Sequence, residues 1–153
     1  MQHSRSEGRL ASRLVDSLYA EAMVLADEAH AYFDGYGGAE RDMLAPLVRV
    51  SFSCESLKIT TRLMHVVAWL LTRRAIESGE WPEDGVRPAG ARLAPAEDSA
   101  PETVAALPQT ACALITASRE LYQRVQRFDL ESDRPETRPS PARGLLSRLE
   151  QAF

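Results

Sequence analysis

The sequence of 153 residues has little of several features that mark other classes of protein. Its two cysteines cannot form a disulfide framework, and its net charge of −4 leaves no basic surplus to neutralise phosphates. The longest nearly uncharged apolar run, residues 63–72, is too short to span a bilayer, and the N-terminus lacks the apolar core of a signal peptide. We therefore expect one cytoplasmic domain that binds no nucleic acid and no membrane.

Glycine and proline are also missing from three long stretches, residues 9–34, 47–78 and 109–134. Because Gly costs about 1 kcal/mol and Pro about 3 kcal/mol inside a helix, these gaps predict three long helices. Most of the eight glycines and nine prolines cluster in segments 35–38, 79–108 and 135–144. These segments predict a tight turn, a long connection and a tail.

Apolar residues recur at helical spacing in all three stretches, and no stretch alternates with the period of a strand. The second stretch is apolar over roughly 200° of its circumference, as is typical of the central helix of a bundle. The predicted fold is an all-α, antiparallel three-helix bundle with a long second connection and a mobile C-terminal tail. Residues 1–128 form the bundle, with a loop over 79–107, and residues 129–153 form the flexible tail. The helices are predicted over about 9–34, 46–78 and 108–128.

Catalytic motifs are absent from the sequence, which has no Gly-rich phosphate loop, no Cys-x-x-Cys and no Glu-x-x-His pair. His30 has Asp27 and Asp34 within one helical turn, a spacing that favours a local ion pair over a metal site. Cys54 and Cys112 lie beside apolar stripes, and we expect both to be small buried thiols of the core. The sequence therefore predicts a protein without enzymatic activity, metal or cofactor.

One candidate interface follows a face of the predicted second helix that we expect to contact water. Arginine and aromatic residues, which are enriched at interface cores, recur along it. Its members are Lys58, Arg62, Trp69, Arg73 and Ile76. The alternative, left open here, is that the connection over 79–108 folds over Trp69.

The second candidate is the C-terminal end of the chain, where apolar residues recur at i, i+1, i+4 and i+8. These residues are Leu145, Leu146, Leu149 and Phe153. Such a segment is too short to be stably helical alone, so we expect it to order when it docks on a partner. The alternative is that it packs back on its own bundle.

The segment 55–76 resembles the central helix of the RcdA family, most specifically at 60–64 and 69–71. Leu107-Pro108 with the residues up to Phe128-Asp129, and the tail ending at Phe153, are similar as well. The resemblance implies a homodimeric three-helix bundle with a mobile tail. It also implies a protease adaptor whose partners are the ClpX unfoldase with ClpP, a response-regulator adaptor and a substrate regulator of the cell cycle. Residues Leu145, Leu146, Leu149 and Phe153 match the region that engages the primed protease.

The alternative function is a structural homodimeric scaffold in a polar or division assembly, without delivery activity. It uses the same fold and differs only in what the surfaces bind. A shared fold does not decide between the two, because function depends on the sites that a fold carries. We expect a cytoplasmic location for an adaptor and a polar one for such an assembly.

Overall fold

The computed structural model describes residues 2–80, 92–132 and Leu149, and within these residues all regular structure is helical. The prediction of an all-α bundle is confirmed. Within residues 2–80 and 92–132, three long helices form the bundle, and two helices of five residues lie in the connections. Their bounds are α1 (Gln2–Ala31), α2 (Gly38–Asp42), α3 (Pro46–Glu77), α4 (Pro101–Ala105) and α5 (Gln109–Ser132).

The turn after α1 depends on a close approach of the backbone at Gly37. A wider π-helical turn, Tyr32–Tyr36, continues α1, and the Gly37 amide donates to the Tyr32 carbonyl at 2.8 Å. A Cβ atom on Gly37 would lie 2.6 Å from that carbonyl oxygen and 2.7 Å from the Tyr32 ring. The Tyr32 hydroxyl donates to Glu40 in α2 at 2.6 Å. Only glycine therefore allows the chain to turn against this tyrosine.

Helix α3 begins and ends at residues whose backbone preferences match their positions. Pro46 occupies the first turn, where its missing N–H would have had no helical partner. Gly79 follows the last turn with a φ of +77°, a left-handed conformation that costs glycine little.

The directions of the three long helices explain the length of the second connection. Asp16 of α1 pairs with Arg74 of α3, and Phe33 packs on Phe52, so α1 and α3 are antiparallel. Helix α5 is parallel to α3, because Arg62 meets Ser118 near the middle and Trp69 meets Phe128 towards the end. The predicted antiparallel arrangement thus holds for α1 against both other helices but not between α3 and α5. A parallel pair requires the chain to return along the whole of α3, about 48 Å for 32 residues.

The core fills the space between the three helices and has aromatic clusters at both ends. Near the α1–α3 turn, the Phe33 ring packs edge to face on both Tyr32 and Phe52, with centroids 5.0 Å apart in each pair. At the other end the Trp69 and Phe128 rings are 5.6 Å apart. Leu93 and Leu107 of the second connection are buried in the same core.

Several expectations about individual positions are wrong. Helix α1 begins at Gln2 rather than near Arg9, and α5 continues to Ser132, past the predicted start of the tail. Asp129 is buried, and its carboxylate accepts a hydrogen bond from the Leu93 amide at 3.0 Å. The bundle therefore extends beyond residue 128. Cys54 is exposed rather than buried, since it lies on the outer side of α3, and Cys112 is half-buried.

Gly37→Ala should lower the free energy of unfolding by roughly 1–3 kcal/mol, because the added Cβ collides with the Tyr32 carbonyl and ring. Thermal unfolding followed by circular dichroism measures this. The matched control is Gly8→Ala in α1, where nothing lies within 4 Å of the new Cβ. That control should be neutral or stabilise by up to about 1 kcal/mol. Equal effects of the two substitutions would show that the close approach at Gly37 contributes nothing.

Stability should fall as the pH rises above about 10, the ordinary pKa of tyrosine. Burial, and next the hydrogen bond to Glu40, raise the pKa of Tyr32 in the folded chain. The unfolded chain therefore loses this proton first, so the contribution is complete below pH 10 and is lost as the pH rises towards the folded pKa. Tyr32→Phe should flatten the alkaline part of a pH series of unfolding free energies. Exposed Tyr36, changed to Phe, is the control, and an unchanged slope for Tyr32→Phe would contradict the assignment.

Candidate interaction surfaces

The face of α3 that the sequence suggested as an interface is largely covered by the rest of the chain. Trp69 is 1% exposed and Arg62 is 2% exposed, so the expectation that they contact water is wrong. Arg73 and Ile76 are half-buried, and the Lys58 side chain is 21% exposed. Trp69 packs on Phe128 of α5, and Arg73 lies 5.5 Å from the Trp69 ring. Trp69 is thus covered by Phe128 of α5, and the alternative that the connection folds over it stays a prediction, because residues 81–91 lie outside the described residues.

Arg62 joins the second connection to both α3 and α5. Its Nη2 donates to the Glu97 carbonyl at 2.9 Å and to the Ser99 hydroxyl at 3.3 Å. Its Nη1 donates to the Ser118 hydroxyl of α5 at 3.3 Å. Burial lowers the pKa of Arg62, and the charge of nearby Glu55 counteracts this. Three elements therefore meet at one buried guanidinium group.

Glu55 provides the acidic side of the same cluster. The Ser99 hydroxyl donates to one of its carboxylate oxygens, and the Lys58 ammonium group donates to the other at 3.0 Å. Lys58 also donates to the Asp98 carbonyl at 3.1 Å. Arg119 of α5 pairs with the Asp98 carboxylate at 2.8 Å. Charged side chains thus hold residues 97–99 against α3. From the sequence alone, the same side chains predicted a solvent-exposed face.

The opposite, outer side of α3 carries the largest exposed apolar surface of that helix. Four large side chains at intervals of seven residues are between 47% and 68% exposed, and they are Val50, Leu57, Met64 and Leu71. The wide apolar circumference of α3 predicts that this side is part of the central core, and that prediction is wrong. Two features of the sequence could have identified this side as an exposed apolar surface: the seven-residue spacing of its large residues and the lack of charge. From residue 50 to residue 72, the charged residues are Glu55, Lys58 and Arg62, none of them on this side.

A groove of about 540 Å³ lies between α1 and this outer side of α3. Its floor is apolar, with Phe33 from the π-helical turn after α1 and Leu63 and Val67 from α3, and Met64 and Leu71 form its outer edge. The His30–Asp34 ion pair, 2.6 Å long, borders one end, as the spacing of these two residues predicted.

The other predicted site lies almost wholly outside the described residues. Leu145, Leu146 and Phe153 of the tail are not described, and Leu149 alone is described, as an exposed helical residue. Their predicted role as a partner-binding segment stays a prediction.

The described part of the chain has neither a metal site nor a membrane-spanning helix. No group of three or more His, Cys, Asp or Glu side chains there is arranged to hold a metal ion. No helix within residues 2–80 and 92–132 has the length and apolar character needed to cross a membrane.

These observations define a class of protein: an all-helical bundle whose distinctive surface is an uncharged apolar helix face. The chain belongs to the family described as "Protein of unknown function (DUF1465)", which matches residues 6–153. Its fold is similar to the crystal structure of RcdA from Caulobacter crescentus CB15, with a TM-score of 0.65 and 32% sequence identity. The match covers 81% of this chain and 95% of that chain. The resemblance to the RcdA family is thereby confirmed, and neither finding indicates an enzyme family. No curated protein matches the chain.

Arg62→Ala should lower the free energy of unfolding by about 3–5 kcal/mol, because it removes the buried donor to the Glu97 carbonyl and the Ser99 and Ser118 hydroxyls and the positive charge near Glu55. Denaturant unfolding measures the loss, and a double-mutant cycle with Ser99→Ala should give a coupling of about 0.5–3 kcal/mol. The control is Arg127→Ala on the exposed side of α5, which should change stability by less than about 0.5 kcal/mol. A loss no larger than that of the control would mean that the buried cluster does not hold the connection.

Proposed function

We propose that the chain is a non-enzymatic adaptor that tethers regulators to a primed ClpXP protease for regulated proteolysis. The observation that carries this proposal is the likeness to the RcdA structure, at 32% identity over 81% of the chain. A likeness of this extent supports a shared mode of action, whereas the fold alone would support none. The partners in the proposal are the ClpX unfoldase with ClpP, a response-regulator adaptor and the substrate regulator.

The surface of the bundle supports a role in protein contacts. A line of four large apolar side chains on one helix is a larger exposed patch than isolated surface residues form, and such patches mark interaction sites. The buried cluster around Arg62 joins the connection to α3 and α5, which supports a preformed surface for partners. Rigid surfaces bind with a smaller entropic cost than surfaces that must first order.

The tail supplies the second contact in this proposal. Leu145, Leu146, Leu149 and Phe153 form its apolar set, joined to α5 by a segment rich in proline and charge. A weak peptide contact and a weak surface contact on one chain bind far more tightly together than either does alone, through the raised effective concentration. No catalytic residue is needed for such a mechanism.

A second candidate function is a structural homodimeric scaffold in a polar or division assembly. The observation that favours it is the uncharged outer face of α3, which fits association of the bundle independently of any protease. The two candidates differ in whether the chain accelerates degradation of a regulator.

Deletion of residues 144–153 should abolish delivery while leaving the bundle intact, because the three long helices all end at or before Ser132. The experiment compares degradation of a regulator by purified ClpXP, primed by the response-regulator adaptor, with full and truncated chains. We expect the rate of degradation to fall by at least about 10-fold, because a tethering contact is lost. Helicity and melting temperature should not change.

Two variants of the full chain sharpen this test. Alanine at Leu145, Leu146, Leu149 and Phe153 should reproduce the deletion, whereas alanine at Ser147 and Gln151 should leave delivery normal. Normal delivery by the truncated chain would contradict the role of the tail. A full chain that never accelerates degradation would contradict the adaptor and favour the scaffold.

A further inference from the structure

A cavity of about 230 Å³ lies between the second connection and α5. Residues 95–98 form one wall, side chains of α5 form the other, and Arg62 of α3 lines the cavity as well. The α5 residues include Arg119, Tyr122 and Gln126. The cavity is smaller than the roughly 300–1,000 Å³ of pockets for drug-sized ligands and far larger than the about 10–15 Å³ that one water molecule needs. It therefore has room for a metabolite of a few carbon atoms.

Two residues that line this cavity have buried polar atoms without a hydrogen-bond partner in the described part of the chain. The atoms are Nε of Arg62 and the hydroxyl oxygen of Tyr122. Only Trp69 and Arg73, among the described residues, have buried side-chain atoms in the same condition, and neither lines the cavity. Burial raises the pKa of Tyr122, so its hydroxyl keeps its proton and can donate. Because an unpaired buried donor costs stability, an acceptor at this cavity would be stabilising.

The buried cluster beside the cavity has one positive charge more than its buried carboxylate can balance. Arg62 and Lys58 are both near the Glu55 carboxylate, which is 1% exposed. The acidic residues 97–98 are exposed to water, and the second of them pairs with Arg119. Exposed carboxylates are hydrated and screened, so they balance a buried charge only weakly. Two cations therefore share one buried carboxylate, and the cluster is complementary to a single negative charge.

We propose that this cavity binds a small carboxylate anion, whose oxygens accept hydrogen bonds from Nε of Arg62 and the hydroxyl of Tyr122. A carboxylate supplies one charge and two acceptor oxygens, and hydrogen bonds to a charged acceptor are about twice as strong as neutral ones. Phosphate or sulfate would bring more charge than the cluster lacks, and the acidic residues 97–98 would repel it. The amide groups of Gln123 and Gln126 are available to a further polar substituent.

The connection is the wall that moves when the ligand enters. Both unpaired atoms are closed off from water, so a carboxylate reaches them only after a small displacement of one wall. Residues 95–98 have no regular structure, whereas α3 and α5 are continuous helices on the other sides. The bound anion then joins α3 to α5 beneath the connection, next to the hydrogen bonds that Arg62 already makes. This site is independent of the proposed adaptor function.

The first arm of the test titrates the full chain with sodium carboxylates from acetate to hexanoate, at constant ionic strength, by calorimetry and thermal unfolding. We expect saturable binding, with a rise in melting temperature of about 3–6 °C at a tenfold excess over the dissociation constant. Butyramide has the shape of butyrate without its charge and should bind at least about 10-fold more weakly. Inorganic phosphate and sulfate should also bind more weakly than butyrate.

The second arm uses variants at the cavity. Tyr122→Phe removes one donor and keeps the ring in the core, so it should weaken butyrate binding by about 10-fold or more. It should not lower the melting temperature of the ligand-free chain, because the lost hydroxyl has no partner there. Ala96→Leu adds bulk to the wall and should also weaken binding. The control is Tyr36→Phe in the turn after α1, where the tyrosine is exposed and both measurements should stay unchanged.

Four outcomes overturn the proposal. Failure of every carboxylate to bind would leave the cavity to water alone, and equal affinity for butyramide would exclude recognition of a charge. Tighter binding of phosphate or sulfate would assign the cavity to a different anion. Undiminished butyrate binding by Tyr122→Phe would place the site elsewhere. Because none of these measurements uses the protease, a failure here is distinguishable from a failure of delivery.

Discussion

The parallel course of α3 and α5 is the constraint on which the rest of the structure depends. Two parallel helices cannot be joined by a tight turn, so the chain must travel back along α3 before α5 begins. That return places backbone carbonyls and a buried serine against the helices. Arg62 satisfies these groups, and Glu55 balances part of the positive charge. The parallel arrangement of α3 and α5 thus creates the need for the buried cluster. The cluster in turn stabilises that arrangement, because it holds the connection against both helices.

A single helix, α3, therefore has three different sides. One side packs on α1 and α5 through apolar residues, a second side is covered by the connection through charged residues, and the third side is uncharged and open. The usual pattern of an amphipathic helix, apolar inside and charged outside, is reversed on the last two sides. Charged residues are interior because backbone and hydroxyl groups pair with them, and apolar residues are exterior because none of the described elements covers them.

The helices could be predicted from the sequence, because glycine and proline are excluded from helix interiors for local reasons. The sides of α3 could not be assigned in the same way. Arg62 and Trp69 lie in line at a seven-residue interval, and so do Leu57 and Met64, and periodicity alone does not tell which line faces the core. Deciding between them requires the path of the connection, and that path is a long-range property. The direction of α5 was missed for the same reason.

The parallel pair also determines where the chain's ends lie. Because α5 runs the same way as α3, it ends near Trp69 and Arg73, at the end of the bundle where α1 begins. The start of α1 and the end of α5 therefore lie at one pole, and the α1–α3 turn with Gly37 occupies the other. The sequence places 12 residues between Ser132 and residue 145, so these two positions are at most about 40 Å apart. The described bundle is thus polarised along its axis, with the first and last helix ends at one pole and the α1–α3 hairpin at the other.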